Sequence, residues 1–186
     1  MERTYKCIRQ HTFSDGRFSL SPIRDEDKYT ILRIRNEQMY HLRQNRPLTE
    51  ADQERYFREV VDALFEVEKP TQLLFSFFDN GQFMGYGGLV HIDWNNHHAE
   101  ISFVMKTELE ATHFETYWCA YLNLLEQIAF GETGLHKIYT YAYDLRPHLY
   151  VALEKSGFRK EAVLTDHCFF DGAFRNVVIH SKISGN

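Results

Sequence analysis

The stretch EISFVMKTELEATHFETYWCAYLNLLEQIAF, residues 100–130, changes its hydrophobic pattern halfway along. Its first part, up to Met105, is a short apolar run that predicts a buried strand. The turn that follows contains no glycine. From Phe114 onward apolar residues recur at helical spacing, namely at Tyr117, Tyr121, Leu124, Leu125 and Ile128. The stretch therefore predicts a strand, a glycine-free turn and a helix with an apolar face.

Two further strands are expected just before this stretch. The segments QLLFSFF (72–78) and QFMGYGGLVHID (82–93) flank the hairpin sequence Asp79-Asn80-Gly81. Together with residues 99–105 they predict an antiparallel meander of three strands. The middle strand contains three glycines that indicate bends or bulges, Gly85, Gly87 and Gly88.

Two helices are expected before the meander, after a short strand at residues 18–24. Asp25 is a candidate N-cap for the first helix, which is expected to run to about Gln38. Thr49 and Asp52 have the spacing of a capping box at the start of the second helix. The second helix is expected to bury rows of residues spaced four apart, Tyr56, Val60, Leu64 and Phe57, Val61, Phe65.

The rest of the chain adds a strand, a helix and a hairpin. HKIYTYAY (136–143) predicts a strand, and PHLYVALEKSG (147–157) a helix that ends at a glycine. A last hairpin turns at Asp171-Gly172. The order β-α-α-β-β-β-α-β-α-β-β predicts an α/β fold with a mixed, mostly antiparallel twisted sheet flanked by helices. Because no linker composition interrupts it, we expect one domain, 1–186, with residues 1–17 as an N-terminal extension.

Composition excludes several classes of function. The chain has 186 residues, of which 44% are hydrophobic, and a formal net charge of −5, which argues against nucleic-acid or anionic-membrane binding. Its three cysteines lie far apart without a CxxC spacing, so no metal site is expected. No apolar run approaches the roughly 18 residues of a membrane span. MERTYKCIRQHTF lacks the apolar core of a signal peptide, so we expect a cytoplasmic location.

Several motifs, taken in order, resemble those of the GNAT superfamily of acyl-coenzyme A N-acetyltransferases. They are LRIRNEQM followed by RPLTEADQERYF, then GGLVHIDWNNHHAEISFVM, and HKIYTYAYDLRPHLYVALEKSGF with the terminal hairpin. The resemblance is to the branch that contains the ribosomal-protein alanine and bacterial amino-sugar acetyltransferases. It implies a GNAT-like fold that transfers an acetyl group from acetyl-CoA to a primary amine of a small molecule, an amino sugar or a protein N-terminus.

The resemblance also implies a donor site between the fourth and fifth strands of the predicted order. Coenzyme would lie along the backbone of the strand end Phe103, Val104 and Met105, and then at the phosphate loop, which falls on Thr116, Tyr117 and Trp118. Members of the superfamily usually have glycines where Phe114 and Thr116 stand here, because backbone must approach phosphate closely. Glu108, Glu110 and Glu115 bring negative charge to this turn, or are ordinary helix-start residues. Arg146 and Leu149 stand where Asn and Ser are usual and would contact the coenzyme, with Arg146 as a replacement phosphate ligand.

For catalysis, the resemblance places Glu100 as the general base that deprotonates the amine, directly or through water. The alternative is a strand-surface glutamate paired with an arginine or lysine. His98 is a second candidate base, or a turn histidine. Arg35, Asn36 and Tyr40 would lie beside the acceptor, or form a solvated helix end. The residue usually proposed as the acid tyrosine is Leu153 here.

Three functions remain open at this stage. The chain is an active N-acetyltransferase, a catalytically inactive GNAT-fold binding domain, or an acyltransferase with a different acyl donor. N–H groups of residues 114–118 that converge on an open gap would favour the enzyme. A gap filled by Phe114, Tyr117 or Trp118 would favour the inactive domain, and an open gap lined with carboxylates would favour the different donor. The apolar, aromatic terminal hairpin is a candidate homodimer surface.

Overall fold

The computed structural model describes residues 3–185, which form a twisted sheet of eight strands with helices on both sides. The strands are β1 (Phe13–Asp15), β2 (Phe18–Pro22), β3 (Leu73–Asp79), β4 (Gln82–Asp93), β5 (His98–Met105), β6 (Lys137–Tyr143), β7 (Arg159–Phe170) and β8 (Ala173–Ile183). The helices are α1 (Lys28–Glu37), α2 (Glu50–Tyr56), α3 (Asp62–Leu64), α4 (Phe114–Glu126) and α5 (Pro147–Lys155). The π-helical segments Phe57–Val61 and Gln127–Glu132 continue α2 and α4.

The sheet order is β1-β2-β3-β4-β5-β6-β8-β7, and neighbouring strands are antiparallel except β5 and β6. The parallel pairing of β5 with β6 covers only the residues from His98–Lys137 to Glu100–Tyr139. Beyond these pairs the two strands diverge. The architecture confirms the predicted α/β fold, with its mostly antiparallel sheet and flanking helices.

The N-terminal segment takes part in the sheet and the core. Strand β1 pairs with β2, so residues 13–15 add a strand that the expected order lacks. Tyr5 is 1% exposed, donates a hydrogen bond to the Leu74 carbonyl (2.9 Å) and accepts one from the Leu74 N–H (2.8 Å). Parts of the expected extension, residues 1–17, therefore belong to the core and the sheet, with Tyr5 on β3 and residues 13–15 on β2. Residues 1 and 2 lie outside the described part of the chain.

Helix α1 begins later than the sequence predicts. Asp25 opens a single 3-10 turn, Asp25–Asp27, and α1 starts at Lys28 with no side-chain cap. Asp27 is buried, and its carboxylate accepts hydrogen bonds from Arg24 and from the Ser76 hydroxyl, so it does not cap the helix. The predicted capping box of α2 is confirmed, since Thr49 and Asp52 exchange both hydrogen bonds.

Helix α4 packs closely on β4 and β5, which fixes its N-terminus beside the gap between β5 and β6. The Tyr121 ring stacks on Phe103 at 3.9 Å, and its hydroxyl donates to the Ser102 carbonyl at 2.8 Å. A buried aromatic side chain of this size contributes about 2 kcal/mol to stability. The contact requires glycine at position 87, where a Cβ would lie 2.0 Å from the Ser102 oxygen.

The segment between α1 and α2 is held by Asn36. Its amide nitrogen donates to the Leu48 carbonyl (2.8 Å), and its amide oxygen accepts from Leu48 N–H (2.8 Å) and from Gln44 Nε2 (2.9 Å). These bonds replace backbone hydrogen bonds that an irregular segment lacks. They place residues 39–48 over one end of the gap between β5 and β6. Among residues 3–185, no helix is long and apolar enough to cross a lipid bilayer.

Candidate active site

The divergence of β5 and β6 opens a cavity of about 190 Å³. Glu100 marks the point where the strands part, and Tyr141 continues the wall along β6. Trp118 and Leu149 line the side formed by α4 and α5, and Arg146 lies at the start of α5. The cavity is therefore the gap between two strands that the resemblance to GNAT acetyltransferases implies as a donor site.

Glu100 is 6% exposed, although it is a carboxylate. Its Oε1 is paired with Arg43 Nη2, and its Oε2 lies 3.9 Å from His91 Nε2. Burial raises the pKa of Glu100 above its ordinary value, and the charges of Arg43 and His91 oppose that rise. A raised pKa makes a carboxylate a stronger base toward a bound ammonium group.

His91 reaches Glu100 because β4 is irregular at this point. The register of β4 and β5 shifts between Val90 and Asp93, and His91 has a φ of 50°. A positive φ is costly for a residue with a Cβ, and such strain is often kept at functional sites. His91 is 67% exposed, so its ring links the buried carboxylate to solvent. The sequence predicts bends or bulges of this strand at its glycines and not at His91, so it assigns His91 no role.

His98 lies at the start of β5, outside the cavity lining. Its Nε2 is 3.9 Å from Asp93 Oδ2, and its ring meets Tyr139 edge to face at 5.9 Å. His98 thus faces the β4–β5 turn, and of the two candidate bases Glu100 is the one that lines the cavity.

The end of β5 offers the cavity mainly its backbone. Phe103, Val104 and Met105 are 5%, 2% and 0% exposed, and their side chains belong to the core. The edge of β5 past Glu100 that faces β6 has no strand partner within residues 3–185. Gln38 Nε2 donates to the Met105 carbonyl at 2.7 Å, which occupies one of these backbone groups.

The three residues expected at the phosphate loop point in different directions. Thr116 is exposed on the first turn of α4. Tyr117 turns to the opposite side, where its hydroxyl donates to Asp79 at 2.9 Å, and its N–H donates to the His113 carbonyl at 2.9 Å. Tyr117 therefore offers neither its side chain nor its N–H to the cavity. Trp118 forms a wall of the cavity and meets Phe103 edge to face at 5.1 Å.

Arg146 is a buried cation at the same end of the cavity, 6% exposed. Its Nη2 donates to both oxygens of Glu110 at 3.1 Å, its Nη1 donates to His41 Nδ1 at 2.9 Å, and the guanidinium lies 4.9 Å above the Phe114 ring. Its Nε is buried and has no hydrogen-bond partner in the described part of the chain. Glu110, expected either to bring negative charge to this turn or to be an ordinary helix-start residue, is therefore paired with Arg146.

Burial and charge shift the pKa values of this cluster. Burial raises the pKa of Glu110, and the charge of Arg146 opposes the rise. Burial and the charge of Arg146 lower the pKa of His41 to about 3, so His41 is neutral and accepts from Arg146. No local sequence pattern points to His41, because its partner is 105 residues away in the chain.

The expected acceptor residues divide between cavity and scaffold. Arg35 lines the cavity and donates to the Tyr86 hydroxyl (2.6 Å) and to Gln44 (3.1 Å). Asn36 is engaged in holding residues 39–48, outside the cavity lining. Tyr40 is 45% exposed and contacts His41 edge to face at 4.8 Å. Arg43, by contrast, lies directly over the Tyr141 ring, with its guanidinium carbon 4.7 Å from the ring centre.

A mostly antiparallel sheet in which two neighbouring parallel strands part beside a helix N-terminus is the architecture of acyl-coenzyme A N-acetyltransferases. A family model described as an acetyltransferase (GNAT) domain matches residues 20–175. The chain belongs to this family, which confirms the resemblance to GNAT acetyltransferases and makes it an acetyltransferase. Its place in one branch of the superfamily stays a prediction.

Solved structures with the same fold include spermidine N-acetyltransferases. The Vibrio cholerae enzyme in complex with CoA and spermine is 18% identical, with a TM-score of 0.78 over 91% of this chain and 96% of that one. Mutant forms of the Vibrio cholerae spermidine/spermine N-acetyltransferase are 20% identical, with a TM-score of 0.73 over 91% and 95%. A putative acetyltransferase is 17% identical, with a TM-score of 0.71 over 94% and 87%. No curated protein matches the sequence.

Proposed function

We propose that the chain transfers the acetyl group of acetyl-CoA to a primary amine of a small molecule, with Glu100 as general base. The observation that carries this proposal is the buried carboxylate of Glu100 at the point where β5 and β6 diverge into an open cavity. Family membership supports the reaction. The neighbour described as in complex with CoA and spermine supports an amine acceptor. Amino sugars and protein N-termini remain alternative acceptors.

The cavity suits the narrow, amide-containing chain of the coenzyme. Trp118 and Leu149 give apolar walls, and the free edge of β5 gives backbone hydrogen-bond groups for an amide-containing chain. Arg146 has a buried Nε–H without a partner in the described chain, which a coenzyme oxygen would satisfy. Acetyl-CoA, when bound, supplies the acetyl thioester.

Side chains of this protein then accept and release the proton that the acceptor ammonium must lose. Amines are protonated near neutral pH, so the ammonium must lose a proton before its nitrogen can form a bond to the acetyl carbon. Glu100 accepts that proton, which its raised pKa favours. His91, 3.9 Å from Glu100 and mostly exposed, carries it to solvent. The products are the amide, the coenzyme thiol and one released proton.

The alternatives are a catalytically inactive binding domain and an acyltransferase with a different donor. Leu153 is fully buried at the position of the usual acid tyrosine. The Arg146 guanidinium, a candidate phosphate ligand, already donates hydrogen bonds to Glu110. Both features fit an inactive domain. An intact Glu100 beside an open cavity favours the enzyme.

The test is acetylation of a panel of small amines with acetyl-CoA by the wild-type chain and by Glu100→Gln. We expect Glu100→Gln to lower kcat/KM by about 10²–10⁴-fold, the usual contribution of a general base. Glu161→Gln is the matched control, since Glu161 pairs with Lys137 at 2.6 Å outside the cavity lining. Wild-type protein that binds coenzyme A but acetylates no amine, or a Glu100→Gln variant with full activity, contradicts the proposal.

The homodimer, the cytoplasmic location and the lack of nucleic-acid or membrane partners stay predictions. At the tip of the β7–β8 hairpin, Phe169 and Phe174 are 66% and 64% exposed and pack against each other at 5.2 Å. This tip is the surface that the predicted homodimer would use.

A further inference from the structure

The proposed acceptor amine has to bind beside Glu100. The guanidinium of Arg43 already occupies this end of the cavity. Among the described residues that line the cavity, Glu100 is the only carboxylate. Arg43 Nη2 is paired with that carboxylate, while the Arg43 guanidinium lies 4.7 Å over the Tyr141 ring. The two contacts come from β5 and β6, one on each side of the divergence.

The same two contacts would stabilise a protonated amine. A carboxylate binds an ammonium group by a charge-assisted hydrogen bond, and the face of a tyrosine attracts it through the ring quadrupole. In the proposed reaction the acceptor nitrogen must reach Glu100, which is to remove its proton. The Arg43 guanidinium therefore occupies the volume in which the acceptor ammonium would bind. It is also paired with Glu100, the carboxylate that the ammonium would contact.

The position of Arg43 allows its side chain to rotate away from Glu100 and Tyr141. It belongs to the irregular segment between α1 and α2, and its side chain is 45% exposed. The neighbouring residue Gln44 anchors the segment to Asn36 and Arg35, so the backbone is held while the Arg43 side chain reaches inward. Rotation of this side chain toward solvent would uncover Glu100 and Tyr141 without moving the strands.

The geometry points to Arg43 as a specificity-determining residue that occupies the acceptor ammonium subsite, Glu100 and Tyr141, until a protonated amine displaces it. The inference rests on the proposed function and narrows the acceptor to amines that enter as cations. The competing role is that Arg43 stays in place and binds a carboxylate or phosphate of the acceptor. That role predicts the opposite effect of removing the guanidinium.

The experiment compares Arg43→Met, which keeps an unbranched apolar side chain, with wild type on two acceptors. n-Butylamine has the ammonium alone, and 4-aminobutyrate has the same chain with a carboxylate. We expect Arg43→Met to lower KM for n-butylamine about tenfold, as loss of a competing ion pair and cation–π contact allows, with kcat changed less than KM. Arg43→Lys, which keeps a cation, should stay near wild type.

Arg46→Met is the matched control, because Arg46 lies in the same segment but pairs with Asp52 at 2.8 Å. An unchanged or higher KM for n-butylamine in Arg43→Met overturns the inference. A selective loss of 4-aminobutyrate in that variant assigns Arg43 to an acceptor anion and also overturns it.

Binding measured without catalysis separates this inference from the proposed function. n-Butylamine is titrated into each variant by calorimetry, with coenzyme A present and no acetyl donor. Tighter binding by Arg43→Met supports the inference even where no amine is acetylated. If wild type acetylates amines but wild type and Arg43→Met bind n-butylamine with equal affinity, the proposed function is retained and the role of Arg43 is overturned.

Discussion

Glu100 is the residue on whose protonation state the proposed reaction depends. Arg43 faces it from the segment after α1, His91 from β4, and Tyr139 from β6. Burial raises its pKa above the ordinary 4.5, and Arg43 and His91 pull the pKa down. A general base acts as the carboxylate, so activity must fall as pH drops through this raised pKa.

We therefore expect the pH profile of kcat/KM to have an acidic limb with its midpoint above 4.5, the ordinary value for glutamate. Arg43→Met removes the largest charge that lowers the pKa of Glu100, so the limb should move to higher pH. Profiles are measured at constant ionic strength for wild type, Arg43→Met and Glu100→Gln. A limb that stays at the same pH in all three assigns it to another group.

Glu110 is the second residue whose charge matters for binding. Its two oxygens accept from Arg146 Nη2, so an incoming phosphate oxygen competes with them for the same buried cation. We expect Glu110→Gln to bind coenzyme A about tenfold more tightly, because a neutral amide is a weaker partner for guanidinium. Calorimetric titration of coenzyme A measures the change.

The control for this prediction is Glu108→Gln. Glu108 is in the same turn but is 57% exposed and lies 3.7 Å from Arg33. A similar gain in both variants means that only the general loss of negative charge matters. Weaker coenzyme binding by Glu110→Gln means that Glu110 positions Arg146 for the ligand instead of competing with it.

At the scale of elements, local sequence patterns predicted what local forces determine. The helical spacing of Tyr117, Tyr121 and Leu124 and the hairpin at Asp79-Asn80-Gly81 correspond to α4 and the β3–β4 turn. Strand β1 has only three residues, too few for a periodic signal. Its pairing with β2 depends on tertiary packing, which no short window of sequence contains.

In the candidate active site, too, local motifs were predicted from the sequence and contacts between distant residues were not. Glu100 was found through a motif, and the structure places it at the cavity. Its partner Arg43 is 57 residues away, and the Arg146–Glu110 bond spans 36. Such pairs form only when separate elements meet. The sequence therefore left Glu110 as either a charge unfavourable to phosphate or an ordinary helix-start residue, where the structure has an ion pair with Arg146.

Strand β4 depends on glycine where β5 and α4 approach it. A Cβ at position 87 would lie 2.0 Å from the Ser102 oxygen and 2.7 Å from the Tyr121 hydroxyl. Gly87→Ala should therefore destabilise the chain by about 3 kcal/mol, the upper end for an overpacked site, because backbone has to move. Urea denaturation measures the free energy of unfolding.

Gly131→Ala is the matched substitution, since a Cβ there meets no atom within 4 Å. It should leave the free energy of unfolding unchanged or slightly raised. Equal effects of the two substitutions would show that β4 can shift away from β5 at little cost, and would contradict the close packing of α4 on these strands.

At the scale of the whole molecule, the Arg146 cluster joins three segments distant in sequence. His41 comes from the segment after α1, Glu110 from the turn before α4, and Arg146 from the start of α5. His41 Nδ1 accepts from Arg146 while its Nε2 lies 3.0 Å from the Gln38 amide oxygen, to which a neutral ring donates. The cluster closes one end of the cavity, and its stability requires a neutral His41.

This requirement predicts how the whole fold responds to acid. The pKa of His41 is lowered from 6.5 to about 3, mainly by burial and then by the charge of Arg146, with His148 and Arg35 adding to it. Between these pH values the unfolded chain binds a proton that the folded chain does not, so stability rises with pH there and falls as pH drops from 6.5 toward 3. The slope from this one group is about 1.4 kcal/mol per pH unit.

His41→Asn keeps an oxygen that can accept from Arg146 but does not titrate, so its free energy of unfolding should depend less on pH than that of wild type. Urea denaturation at several pH values between about 4 and 7 measures the difference, about 3 kcal/mol between the ends of that range. His148 and His180, whose pKa values are lowered mainly by burial, are present in both proteins, so the difference between the two curves removes their contribution. His136→Asn, at an exposed position, controls for loss of a histidine. Parallel curves for wild type and His41→Asn would mean that Arg146 is held by Glu110 alone, and that His41 does not contribute to closing the cavity.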